Sequence, residues 1–267
     1  MQSVVPLDCD TFETALQSVS AILNIPGDEL LNRLRDFDYE AIPENEKRQH
    51  DYEPRLIAYS TGRADHELPT PAIVHWFHAT RVAPHSDFKE GILPVPMMKE
   101  RLWTGLGELA SEWVTAEDWA EFRQNIGGAY RLKMRWDGPF AFVCRDIIFR
   151  WEKCHHHDYL GVPEIVEDIC NSFTDKFGYP LMDKFVDATK PCIVKFRSSK
   201  PRPDAVGKAL MYIHLLAQPG NDRIGGCVTC IDNGGEPIKR SDILRIDWPN
   251  IDNSRFDLRI SGEDGGT

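Results

Sequence analysis

No apolar run in the chain approaches the roughly 18 residues that a membrane-crossing helix needs, and residues 1–10 carry neither the basic region nor the apolar stretch of a secretory signal. The protein is therefore expected to be soluble, intracellular and cytoplasmic. Basic residues are also in short supply. Lys and Arg number 31 against 42 Asp and Glu, a net charge of −11 that disfavours loose adhesion to phosphate backbones or anionic lipid. An enzyme that meets nucleic acid through one local basic cleft remains compatible with that balance. The seven cysteines are odd in number and scattered, and a chain of 267 residues does not need disulfide staples, so most are expected to be reduced. The sequence contains no long internal repeat, low-complexity tract, Walker glycine loop, zinc-protease histidine pair or serine elbow.

Apolar residues make up 42% of the chain, enough for a substantial core. Spacings of three and four predict a helix over Phe12 to Leu23, capped by Asp10 or Thr11, and a second from near Pro26 to Phe37. Residues 40–70 read as a long surface loop with one short element around Arg55 to Tyr59. Further helices are expected between Met97 and Trp113, from Thr115 to Ile126, and over Pro163 to Phe177. Strands are expected at Ala72 to Thr80, Pro191 to Phe196, Ala209 to Ala217, Gly226 to Asp232 and Asp242 to Trp248. A hairpin is expected from Tyr130 to Trp136, returning over Phe140 to Ile148 after Asp137-Gly138. Helices crowd the first half and strands the second, without regular alternation. That order predicts an α+β fold with a mixed or antiparallel sheet. Residues 1–70 would form a helical extension and loop, 71–261 the core, and 262–267 a frayed tail.

The densest cluster of chemistry is His75-Trp76-Phe77-His78-Ala79-Thr80-Arg81, followed by Gly91-Ile92-Leu93-Pro94. On a strand, His78 and Thr80 point to the same face. They offer an imidazole and a hydroxyl to a planar or sugar-bearing ligand, with Arg81 available for phosphate. Packing at the end of a sheet, with a satisfied ring nitrogen, explains His75 or His78 equally well.

The His78-Ala79-Thr80 triplet after an apolar strand, with Gly91-Ile92-Leu93 beyond it, resembles the first signature of the ADP-ribosyltransferase fold, in its histidine-containing, bacterial toxin-like class. The resemblance spans about Val74 to Pro94. It implies an α+β fold with a mixed or antiparallel sheet core and flanking helices, NAD as cofactor, and transfer of ADP-ribose to a macromolecule. RNA, single-stranded DNA or protein would be the acceptor, in a toxin or defence role with a neutralising antitoxin as partner. By the same resemblance His78 holds the ribose and nicotinamide end of NAD, Thr80 supports it, and Arg81 lies near the diphosphate. Tyr130, Phe140 and Tyr159 are candidates for the aromatic wall that the family places around nicotinamide.

The family also carries a late glutamate. Cleavage of the nicotinamide–ribose bond develops positive charge that a fixed carboxylate stabilises or orients. Glu164, before Ile165 and Val166, and Glu236, beyond the Asn233-Gly234-Gly235 turn, are the two candidates, and Asp158 is a third. Glu164 is explained as well by the positive end of the helix that it opens. A different reading is a non-enzymatic interaction module, zinc-stabilised through Cys154, His156, Cys227 and Cys230; ordinary packing of these residues competes with it. An RNA 2′-phosphotransferase-like enzyme, which also consumes NAD, is a third. Arg131, Lys133, Arg135, Arg145 and Arg150, near Trp136 and Trp151, would give nucleic acid a basic and aromatic stripe, or simply a solvated hairpin face.

Overall fold

A computed structural model describes residues 4–46, 51–84, 86–126, 138–218 and 225–251. Helix α1 (Phe12–Leu23) starts where Thr11 and Thr14 cap one another. Thr11 Oγ1 accepts from the Thr14 amide at 3.2 Å and Thr14 Oγ1 from the Thr11 amide at 2.9 Å. Helix α2 (Gly27–Asp36) follows Pro26, with Asp28 and Glu29 in its first turn and Arg33 and Arg35 in its last, each sign at the helix end that favours it. The short element expected near Arg55 is a full helix, α3 (Tyr52–Thr61), closed by Gly62 at φ +70°.

Strand β1 (Val74–Val82) leads to α4 (Val95–Ala110) and α5 (Ala116–Ile126). The expected strand from Tyr130 to Trp136 lies outside the described residues. Its return is shorter than expected: β2 (Phe140–Phe142) gives way to α6 (Arg145–Phe149) and α7 (Trp151–Cys154). Then come α8 (Glu164–Phe177), α9 (Leu181–Ala188), β3 (Lys190–Ser198), α10 (Ala205–Ala217), β4 (Cys230–Asp232) and β5 (Ile243–Asp247). The strands form a five-stranded sheet in the order β4-β2-β1-β3-β5, and β1 pairs antiparallel with β2, Phe77 opposite Phe142. The fold is thus a mixed α+β arrangement with helices flanking one sheet.

Sequence and structure part most clearly at α10, which was expected to be a strand over Ala209 to Ala217. Ala205, Val206, Leu210, Met211, Tyr212 and Ile213 are all buried. A helix covered on every side loses the one-sided apolar stripe that marks a helix in sequence, and a short apolar run then reads as a strand. The expected strand Gly226 to Asp232 is also shorter, because a 3-10 turn takes Gly225–Cys227.

Two compact units divide the chain. The first comprises residues 1–77, 141–156 and 195–231, and α1, α2 and α3 pack around α10 within it. The second comprises residues 78–140, 157–194 and 232–267. Its core joins Trp103 and Leu106 of α4, Phe122 of α5, Ile169 and Phe173 of α8, and Leu181 and Phe185 of α9. The Phe122 and Phe173 rings meet edge to face at 5.5 Å, a geometry that adds to simple area burial. Among the described residues no helix is long and apolar enough to cross a membrane.

Candidate functional site

Strand pleating sorts the β1 side chains. Phe77, Ala79 and Arg81 are buried on one face, while His78, Thr80 and Val82 are half-buried on the other. His78 Nδ1 lies 2.6 Å from the main-chain oxygen of Phe140. A carbonyl only accepts, so Nδ1 carries the hydrogen and the neutral ring keeps its lone pair on Nε2. Burial pushes the His78 pKa below its ordinary 6.5, and the Phe140 hydrogen bond, which acts the other way, does not cancel that. The ring is therefore neutral at pH 7. Among the described residues the Phe140 oxygen is the only hydrogen-bond partner of the His78 ring, and the Thr80 hydroxyl has none. An acceptor nitrogen and a hydroxyl thus stand two residues apart on one face.

Arg81 points the other way and is 5% exposed. Its Nη1 donates to Leu160 O at 3.0 Å, its Nη2 to Val186 O at 2.9 Å and Thr189 O at 3.0 Å, and its Nε to Thr189 Oγ1 at 3.1 Å. The guanidinium ties together the turn before α8, the end of α9 and the entry to β3. A phosphate group near the His78 face would have to do without it.

The loop after β4 comes to the same strand end. Asn233 N donates to Pro139 O at 3.3 Å and Gly235 N to Gly138 O at 3.0 Å, next to the residue whose carbonyl holds His78. On its far side the loop is pinned by Ile92 and Ile238, whose amides and carbonyls exchange hydrogen bonds of 2.9 Å in each direction. Gly91, at φ +83°, makes that pairing possible: a Cβ there would sit 1.9 Å from Ile238 O. Glu236 is exposed between these two anchors and makes no ion pair among the described residues. Glu164 opens α8 as its first residue, directly after Pro163, in the place where an acid faces the positive helix end. The structure therefore links His78, Phe140 and the Glu236 loop through hydrogen bonds, while Glu164 belongs to a different segment. Tyr159 is half-buried with its ring 5.0 Å from that of His157, and Tyr130 lies outside the described residues. Asp158 is buried, and its Oδ1 accepts from Gly161 N at 3.0 Å, which gives it a role in the turn.

Of the four zinc candidates, Cys154 and Cys227 lie near enough to interact electrostatically, the helix of Cys154 running beside the Gly225–Cys227 turn. Cys154 and Cys227 are buried, Cys230 is exposed on β4, and His156 Nε2 donates to Ile147 O at 2.9 Å with its ring against Phe142. Among the described residues no group of three or more His, Cys, Asp or Glu side chains is arranged to hold a metal ion.

One charged network escaped the sequence reading. Lys195, with a side chain 9% exposed, donates to Asp8 Oδ2 at 2.7 Å and Asp10 Oδ2 at 3.0 Å, and His75 Nδ1 lies 3.1 Å from the same Asp8 oxygen. Burial alone would raise the Asp8 pKa, but hydrogen bonds and charge from His75 and Lys195 outweigh it and hold the carboxyl at about 2. Two signals were present: a lysine inside the apolar run Pro191 to Phe196, and acids alternating about Cys9. No family model, curated protein or solved structure matches the chain.

Proposed function

We propose that the chain is an NAD-dependent ADP-ribosyltransferase acting on a macromolecule, with NAD bound against the β1 face that carries His78 and Thr80. The observation that carries this reading is the hydrogen bond from His78 Nδ1 to Phe140 O, with the Thr80 hydroxyl beside it on the same face. It fixes the tautomer, so Nε2 accepts a hydrogen bond from a sugar hydroxyl, and the Thr80 hydroxyl adds a donor or acceptor two residues away. Bound NAD supplies an activated ADP-ribosyl group whose transfer releases nicotinamide.

The residues of the chain bind and orient. His78 and Thr80 hold hydroxyl groups, and the half-buried rings of Phe140 and Tyr159 supply apolar surface for a planar heterocycle. Glu236 is the preferred carboxylate, because its loop is hydrogen-bonded to the residues preceding Phe140. Glu164 is the second choice. Arg81 is left out of the cofactor set because its guanidinium holds main-chain carbonyls. In this reading the enzyme is a toxin or defence effector, and RNA, single-stranded DNA or protein is its acceptor.

The test is incubation of the full chain with NAD labelled in its adenylate half and with RNA, single-stranded DNA or a protein mixture. Label on one acceptor, with nicotinamide released in equal amount, is the expected result. Absence of nicotinamide release with every acceptor overturns the reading. Release of a cyclic phosphate derived from RNA, without label on the acceptor, would show phosphotransferase chemistry instead.

A further inference from the structure

Strand β5 ends the sheet order, so among the described residues one side of its backbone faces no other strand. Its side chains divide by parity. Leu244 and Ile246, with Trp248 just past the strand, share one face; Arg245 and Asp247 share the other. Leu244 is 45% and Trp248 43% exposed, an apolar stripe along an edge. Proteins normally blunt such an edge with prolines, bulges or charged side chains, because it invites pairing with another chain; in this chain Pro249 comes only after Trp248. Here the strand's two charges are opposite in sign: Arg245 Nε donates to Asp247 Oδ1 at 2.7 Å and Nη2 to Oδ2 at 2.9 Å.

We propose that β5 pairs antiparallel with β5 of a second copy of the chain, about a two-fold axis through Ile246. In that register Leu244 faces the partner's Trp248, Arg245 faces the partner's Asp247, and Ile246 faces its own counterpart. Each apolar side chain thus meets an apolar one and each charge meets its opposite. Cross-strand pairs of both kinds are the units that stabilise an antiparallel ladder. From Leu244 to Trp248 the segment complements itself, which is the property an isologous interface requires and which an unrelated peptide would have to supply separately. The inference does not depend on the enzymatic reading.

The test is sedimentation velocity of the full chain over a concentration series, at a salt concentration that screens the repulsion between two acidic chains. The expected species has twice the 30.5 kDa mass of one chain at high concentration and dissociates on dilution. Arg245→Asp sets acid against acid in two symmetric pairs and should weaken association by at least about tenfold. The swap Arg245→Asp with Asp247→Arg should restore it, because it re-forms an opposite-sign pair on each side of the axis. Ile246→Lys should leave a folded monomer, with far-UV circular dichroism unchanged and a thermal midpoint that no longer depends on protein concentration. Independently of these, Ile246→Cys should form a disulfide-linked dimer under mild oxidation, because the two positions meet on the axis. A wild-type chain that is monomeric at every concentration, or a dimer indifferent to Arg245→Asp and to Ile246→Lys, overturns the proposal.

Discussion

Lys195 Nζ donates to Asp8 Oδ2 at 2.7 Å across 187 positions of sequence, and both side chains are largely withdrawn from water. The pair tethers the extended N-terminal segment to β3, and that segment also pairs with β1 through Leu7 and Val74. Replacement of Lys195 by Met removes the ammonium that Asp8 and Asp10 share, leaving Asp8 with His75 and Asp10 with Arg145, whose Nε is 3.6 Å from its Oδ1. The expected cost is about 3 kcal/mol of unfolding free energy, measured by urea denaturation. Simultaneous replacement of Asp8 and Asp10 by Asn should recover part of it.

The same pair sets an acid limit. Asp8 titrates at about 2 in the folded chain, against an ordinary 3.8. A carboxyl whose folded pKa is depressed contributes stability that is complete above its unfolded value and is lost as pH falls through the folded one. The thermal midpoint is therefore expected to drop between about pH 4 and pH 2, and Asp8→Asn should flatten that decline. A decline of equal steepness in the variant would assign the acid limit to other groups.

Arg81 is predicted to be a structural residue. Arg81→Lys keeps the charge but cannot reach the carbonyls of Leu160, Val186 and Thr189 together, and it should lose roughly 3 kcal/mol of stability. If the protein binds NAD, the affinity of the remaining folded fraction should be little changed. A selective loss of NAD affinity at unchanged stability would restore Arg81 to the cofactor set.

Gly91→Ala tests the anchor of the Glu236 loop. The new Cβ would overlap Ile238 O and would force a side chain into φ +83°, so the Ile92–Ile238 pairing must open. The expected loss is about 2 kcal/mol or more by chemical denaturation, together with faster hydrogen exchange at the Ile92 and Ile238 amides.

Several elements could be read directly from side-chain pattern. The Thr11 cap of α1, the Pro26 start of α2, the Thr115 start of α5 and the Pro163 start of α8 all rest on interactions local to a few residues. Strands β1, β3 and β5 were also legible, because apolar runs too short for a helix leave few alternatives. Burial from every side hid α10, and α9 was not anticipated at all. Of the site, the shared face of His78 and Thr80 follows from strand parity. The commitment of Arg81 to backbone carbonyls and the seating of the Glu236 loop on Gly138 and Pro139 are tertiary facts, invisible until distant segments meet.

The central claim is that His78 presents an acceptor Nε2 to NAD, and histidine ring ¹⁵N chemical shifts during an NAD titration test it most directly. His78, identified by the signal missing in His78→Gln, should titrate below 6.5 with Nδ1 protonated, and its Nε2 resonance should move as NAD is added. A His78 signal that stays fixed through saturating NAD, or one that shows the hydrogen on Nε2, would contradict the account.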